Sequence, residues 1–192
     1  MNHSCEIFAN GVIETLAALE AAGKAEVDGR IVPGLHPTWD EEEGAVALSY
    51  RAEPGTLLQL EAQVSGAPRW LTLNIDLGPG AFEAGDVIGI VADIAGEAED
   101  MLGMFIRSTT QGGDVDTELA EPLFVAAQQR VAAALHVVAP QDGVAGSERF
   151  HMLGLKLPKR DFRLEIRGLR VFVRPAAEVP EAPAMTLAGT AG

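Results

Sequence analysis

The segment that most restricts the fold is the last strongly patterned one, Phe162-Arg163-Leu164-Glu165-Ile166-Arg167-Gly168-Leu169-Arg170-Val171-Phe172-Val173-Arg174. Phe162, Leu164 and Ile166 form its apolar set before Gly168, and Leu169, Val171 and Val173 form it afterwards, so the parity slips by one residue. Side chains on a strand alternate with period two. A one-residue slip therefore turns the buried face outward unless a bulge absorbs the extra residue. Glycine is the residue expected to permit that bulge. The segment thus predicts one long strand, kinked once, in a twisted antiparallel sheet with a single buried face.

Other short segments carry the same period. Val46, Leu48 and Tyr50 alternate with small or polar neighbours, and Leu58, Leu60, Ala62 and Val64 alternate with Gln59, Glu61 and Gln63. Leu71, Leu73, Ile75 and Leu77 share one face while Trp70, Thr72, Asn74 and Asp76 share the other, up to the turn signal Gly78-Pro79-Gly80. Val87 to Ile94 is apolar on both parities, which places it in mid-sheet or under a covering loop. Met104 to Arg107 reads as a short strand, and His151, Leu153, Leu155 and Leu157 as the inner side of another that stops at Pro158. Val131 to Val138 has helix-favouring alanines, but Val131, Ala133, Leu135 and Val137 alternate, so it is read as a strand. Many short strands with few helices predict an all-β fold, a jelly-roll-like antiparallel β-sandwich.

The ends are expected to differ from this body. Val12, Ile13, Leu16 and Leu19 fall at helical spacing between Asn10, a candidate N-cap, and Gly23, a candidate stop, so a short N-terminal helix is predicted over Asn10 to Gly23. The competing reading makes Glu6 to Ala9 a strand. Beyond Arg174 the chain is rich in Ala, Pro, Gly and Thr without apolar period, the composition of a disordered tail. The expected division is an N-terminal helix or arm over 1–29, a sandwich over 30–174 and a tail over 175–192.

With 192 residues, 47% of them hydrophobic, the chain suffices for one domain with a sizeable core. A formal charge of −14 argues against nucleic acid and against an anionic membrane surface. No apolar run is long enough to cross a bilayer. The single cysteine, Cys5, makes no internal disulfide, which fits a reducing compartment, and Met1 to Glu6 lacks the pattern of a secretory signal. The default expectation is a cytoplasmic location.

The order Trp70-Leu71-Thr72-Leu73, Gly85-Asp86-Val87-Ile88-Gly89, Phe105-Ile106-Arg107-Ser108 and Leu169-Arg170-Val171-Phe172-Val173 resembles the jelly-roll sandwich of galactose-binding-like domains and carbohydrate-binding modules. Asn10-Gly11-Val12-Ile13-Glu14 is similar to the Asn-Gly-x-Phe-Glu opening of some of those modules. The resemblance spans most of residues 40–174. It implies sugar recognition on a loop rim or concave face, often beside a structural calcium ion. Aromatic residues are only 5% of this chain, however, which argues against a flat crystalline polysaccharide and leaves a soluble chain or a protein as partner.

Candidate site residues follow from chemistry. Arg163, Arg167, Arg170 and Arg174, with Lys156, Lys159 and Arg160 nearby, form a basic strip able to hold carboxylate, sulfate or phosphate. The competing reading has them neutralise acidic neighbours across the sheet or guard an edge. Arg107 joins them as a candidate ligand contact. Trp70, outward beside Arg69, is a candidate platform for a sugar ring, or else lies under a loop or the N-terminal helix. Trp39, beside Asp40-Glu41-Glu42-Glu43, reads as exposed in a solvated acidic loop. Asp114, Asp116 and Glu118 lie on one side of an extended segment after Gly112-Gly113 and are candidate calcium ligands, against the alternative of a solvated loop. His151 shares parity with three leucines and reads as a hydrogen-bonded core residue. No nucleophile elbow, phosphate loop, zinc motif or dinucleotide fingerprint is present. The expectation is a non-enzymatic carbohydrate-binding or glycan-pathway accessory domain without a cofactor other than calcium; the alternative is a structural or protein-interaction sandwich.

Overall fold

The computed structural model describes residues 2–178, and two antiparallel sheets make up most of it. The first sheet contains β1 (Ala21–Lys24), β3 (Gly44–Glu53), β4 (Thr56–Gly66), β6 (Val87–Gly96), β11 (Arg130–Val137) and β13 (Phe162–Arg174), in the order β1-β3-β4-β13-β6-β11. The second contains β2 (Leu35–Trp39), β5 (Leu71–Gly80), β8 (Met104–Thr110), β9 (Gly113–Glu118) and β12 (Arg149–Lys156), in the order β2-β5-β12-β8-β9. A two-stranded ribbon of β7 (Asp100–Leu102) and β10 (Leu123–Val125) completes it. The sandwich expected from the alternating segments is present.

The inner faces are the predicted ones except on β11, where the alternating set Val131, Ala133, Leu135 and Val137 is exposed and Ala132, Ala134 and His136 are buried. Leu58, Leu60, Ile88, Ile90, Ile94, Leu164 and Ile166 come from the six-stranded sheet, and Leu71, Leu73, Ile75, Met104, Ile106, Leu153 and Leu155 from the five-stranded sheet; all are buried. Each such side chain contributes about 1.5–3 kcal/mol through removal of its apolar surface from water. Val87 to Gly96 lies between β13 and β11, which explains why its outward positions Val87 and Val91 are half-buried as well.

The parity slip of β13 is a bulge: Ile166 pairs with Ile94 and Gly168 with Asp93, leaving Arg167 without a partner on β6. Gly168 itself is not the steric cause. Its φ is not positive, and a Cβ there would meet only the Asp93 Cβ at 3.6 Å, an ordinary contact. Gly89 is the glycine that the sheet requires, because the ring of Phe172 occupies the space its side chain would take.

Past the bulge β13 leaves β4, which pairs with it only over Phe162 to Ile166. Helix α1 (Ser4–Ala17) fills the vacated edge. Asn10 acts there as a piece of strand, its Nδ2 donating to the Val171 carbonyl at 2.9 Å and its Oδ1 accepting from the Val171 N–H at 3.2 Å. Glu6 Oε2 accepts from the Val173 N–H at 3.0 Å. The buried stripe Cys5, Ala9, Val12 and Leu16 has the spacing of one helix face.

These contacts correct the N-terminal boundaries. The helix begins at Ser4 with His3 as its cap and ends at Ala17, so Asn10 is internal, Glu6 to Ala9 is helical, and Gly23 belongs to β1. β1 pairs with β3, so the sandwich already includes part of the expected arm. The tail predicted over 175–192 lies outside the described residues beyond 178, and Ala176–Glu178 form one 3-10 turn.

Two substitutions separate the roles of the glycines. Gly168→Ala is expected to leave stability unchanged or to raise it by about 0.4–1 kcal/mol, through the lost freedom of the unfolded chain. Gly89→Ala is expected to lower it by about 1–3 kcal/mol, because the Phe172 ring must move. Urea unfolding of the two variants measures both, and equal losses would mean that the bulge does require its glycine.

Candidate functional site

The outward face of the five-stranded sheet forms an open groove of about 890 Å³. Its floor follows from strand register. His36 and Thr38 of β2, Thr72 and Asn74 of β5, Met152, Gly154 and Lys156 of β12, Phe105, Arg107 and Thr109 of β8, and Asp114, Asp116 and Glu118 of β9 share this face by alternation. Gly154 pairs with Phe105, and the Phe105 ring lies across the space a side chain at 154 would fill. The Arg107 guanidinium and Lys156 Nζ sit 5.5 and 5.9 Å from that ring's centroid and cover it.

The charges of β8, β9 and β12 in the groove are paired in rows, whereas Lys159 makes no ion pair among the described residues and donates to the Arg69 carbonyl at 3.2 Å. Arg107 binds Asp116 in bidentate fashion, with Nε and Nη2 each 2.8 Å from a carboxylate oxygen. Lys156 reaches Glu118 at 2.7 Å, and Thr109 donates to Asp114 at 2.9 Å. The Asp116 carboxylate raises the Arg107 pKa above its ordinary value. Asp114, Asp116 and Glu118 do share one face, as their spacing predicts, but each is engaged singly with a different partner. Among the described residues no three His, Cys, Asp or Glu side chains converge to hold a cation.

At one end stands Trp70, 44% exposed, which decides against its lying under a loop or the N-terminal helix. Its support was not foreseen. Asp40, assigned from sequence to a solvated loop, is only 1% exposed; it accepts from the Arg69 N–H at 3.0 Å and from Arg69 Nε at 2.9 Å. Arg69 also reaches Glu42 at 2.7 Å and places its guanidinium 5.1 Å from the Trp70 ring centroid. Trp39, expected to be exposed, is buried in the core behind this cluster because it shares the inner parity of β2 with Leu35 and Pro37. Hydrogen bonds from the Arg69 side chain, and then from its backbone, hold the Asp40 carboxyl well below the usual carboxylate range.

The predicted basic strip lies elsewhere. Arg163, Arg167 and Arg170 are on β13, in the other sheet, so the structure brings Trp70 and Arg107 to one groove and leaves these three apart from it. Arg163 pairs with its cross-strand neighbour Glu61 at 2.9 Å, and Arg167 contacts Glu165 and Gln129, which is the charge-neutralising alternative. Arg170 and Arg174 make no ion pair among the described residues. Sequence adjacency of Lys156 to Arg163 misled because the turn at Lys159 to Asp161 carries the chain from one sheet to the other.

His151 is the core histidine expected. Fully buried, it meets the Gly80 carbonyl through Nε2 at 3.1 Å and Ser108 Oγ through Nδ1 at 2.9 Å. A carbonyl only accepts, so Nε2 carries the hydrogen and Nδ1 accepts from Ser108. Burial, then the nearby Arg149 and His3, push its pKa down. Ser108 is equally sealed, which leaves the pair a structural one. Burial also pushes the Cys5 thiol up to about 11, away from reactive thiolate chemistry.

No family model matches the sequence, and no curated protein matches it. The fold does have solved counterparts. A carbohydrate-binding module of family 4 superposes with a TM-score of 0.56 at 10% identity, covering 87% of this chain and 99% of that one. The family 30 carbohydrate-binding module of a cellulosomal cellulase of Clostridium thermocellum gives 0.50 at 11% identity, covering 81% and 98%. The chain is therefore a β-sandwich that resembles carbohydrate-binding modules in fold.

The Asp40–Arg69 pair has a pH signature. Because the folded carboxyl is held low, its contribution is complete above the unfolded value of about 3.9 and is lost as pH falls toward the folded value. Asp40→Asn is expected to lower stability at pH 7 and to flatten its fall below about pH 4. Denaturant midpoints measured from pH 7 to pH 2 check this; parallel curves for the two proteins would remove Asp40 from the account.

Proposed function

We propose that this protein is a non-enzymatic glycan-binding domain whose ligand is a soluble, neutral polysaccharide chain lying in the groove of the five-stranded sheet. The observation that carries the reading is the groove itself: an open channel with an exposed indole at its rim and a floor of fixed hydrogen-bonding groups. An open groove running along a sheet face, it suits a chain better than a single small molecule. Trp70 offers a flat apolar surface to the C–H face of a pyranose ring, and His36, Thr38, Thr109 and Asp114 offer polar contacts to hydroxyls.

Charge pairing argues for a neutral ligand over an acidic one. Arg69, Arg107 and Lys156 already bind carboxylates, so an anionic sugar would have to displace a protein carboxylate from each. The fold likeness to modules described as carbohydrate-binding supports the class of ligand. A second reading, an interaction domain, is favoured by the opposite sheet, where Val131, Leu135 and Val137 of the edge strand β11 are exposed.

Affinity electrophoresis against soluble β-glucan, xylan and mannan, with polygalacturonate as the acidic comparison, tests the proposal. Retardation by a neutral polymer is expected, lost by about tenfold or more in Trp70→Ala and unchanged in Arg163→Ala and Arg170→Ala. Retardation by polygalacturonate alone, or by none of the four, would overturn it. A concentration-dependent dimer in light scattering, abolished by Leu135→Glu, would favour the second reading.

A further inference from the structure

Two large rings stand exposed on the groove, Trp70 at 44% and Phe150 at 42%. They mark its opposite ends. Trp70 immediately precedes β5, whereas Phe150 lies across from Pro79 near the other end of that strand. At about 3.3 Å per residue, the strand between them places the two positions about 25–30 Å apart.

Each ring is braced on one side. Trp70 has the Arg69 guanidinium, fixed by Asp40. Phe150 has Phe8 of helix α1, which meets it edge-on with centroids 6.4 Å apart and planes at 80°. Phe8 is seated on Gly78, where φ is +72° and a Cβ would come within 2.5 Å of the Phe8 Cγ. Gly78 therefore serves as the seat that lets a helical side chain reach the rim of the groove. Phe8 and its neighbour Ile7 remain 41% and 61% exposed, so the apolar surface runs on from the groove end onto the helix. Scattered exposed apolar residues need no explanation, but a ring pair continuous with a groove defines a surface for a ligand.

We infer that helix α1 carries one end of the binding site: Phe150, braced by Phe8, is a second ring platform, and the ligand is a neutral chain long enough to lie on Trp70 and Phe150 together. This rests on the groove being the glycan site. Sugar rings stack on the two platforms by their C–H faces, and the rings between them lie over Phe105, Met152 and the paired rows of Arg107 and Lys156. Short oligosaccharides occupy one platform only, so affinity grows with chain length until both are covered. The gain comes from joining two weak contacts in one molecule.

Calorimetric titration of the full chain with β-1,4-linked gluco- and xylo-oligosaccharides of two to six residues tests this. Affinity for one ladder is expected to rise with length. Phe150→Ala is expected to lower affinity for the longest member by about tenfold and abolish the length dependence, with the shortest members unaffected. Phe8→Ala should cost about three- to tenfold, again only for long members. Phe8→Leu keeps apolar volume over Gly78 and controls for folding; it is expected to lose the same ring-dependent share at an unchanged melting temperature. Wild-type affinity for long members in Phe150→Ala and Phe8→Leu, alongside loss in Trp70→Ala, would overturn the second platform and leave the groove reading standing. Failure of the unsubstituted protein to bind either of these ladders or a matching manno-oligosaccharide ladder would overturn both.

Discussion

The arrangement of both ends of the molecule depends on one constraint: β13 must keep an apolar side toward the core through a one-residue slip. A strand that slipped without a bulge would present Arg170 and Phe172 to the core in place of Val171 and Val173. The bulge at Arg167 prevents this, and its local twist carries the second half of β13 away from β4. The backbone groups exposed there need partners, since a buried N–H or C=O left unpaired costs about 1–3 kcal/mol. Helix α1 supplies them through Asn10 and Glu6. The same docking brings Phe8 to Gly78 and Phe150, so a slip in one sheet determines what stands at the rim of the other.

The sandwich was largely legible because most of its segments alternate between apolar and polar residues. Leu71, Leu73 and Ile75 against Thr72, Asn74 and Asp76 fix which residues point out, and the groove floor of Thr72 and Asn74 could be read from that pattern alone. Phe150, Met152 and Lys156 were legible by the same rule, as the complement of His151, Leu153 and Leu155. The N-terminal helix was misplaced because Asn10 has the chemistry of a cap but serves a strand edge 161 residues away. No local signal distinguishes those uses. Asp40 was misread for a similar reason: within an acidic run its burial depends on Arg69, a partner brought near by the β2–β5 pairing.

The basic residues show why adjacency in sequence is a poor guide to a shared site in a sandwich. Lys156 and Arg163 are separated by one turn, yet that turn crosses between sheets, so the two side chains serve opposite outer faces. Strand register is the better guide. It sets Arg107 against Asp116, and Arg163 against Glu61, directly across a ladder. In a chain of formal charge −14, cations set across a ladder from an acid are neutralised in place, as Arg107, Lys156 and Arg163 are.

Neutralisation in place has a consequence for recognition. A guanidinium held by a carboxylate keeps its plane and its remaining N–H groups fixed, so it can donate to a hydroxyl without first losing side-chain freedom. In the proposed site the Arg107–Asp116 and Lys156–Glu118 pairs would act less as charges than as hydrogen-bonding rails set over the apolar ring of Phe105. On the proposed reading, apolar platforms at the ends and polar rails between them would complement a neutral pyranose chain, whose faces are C–H and whose edges are hydroxyl. A polyanion would find the same rails already satisfied, and its charge would have to compete with carboxylates at contact distance.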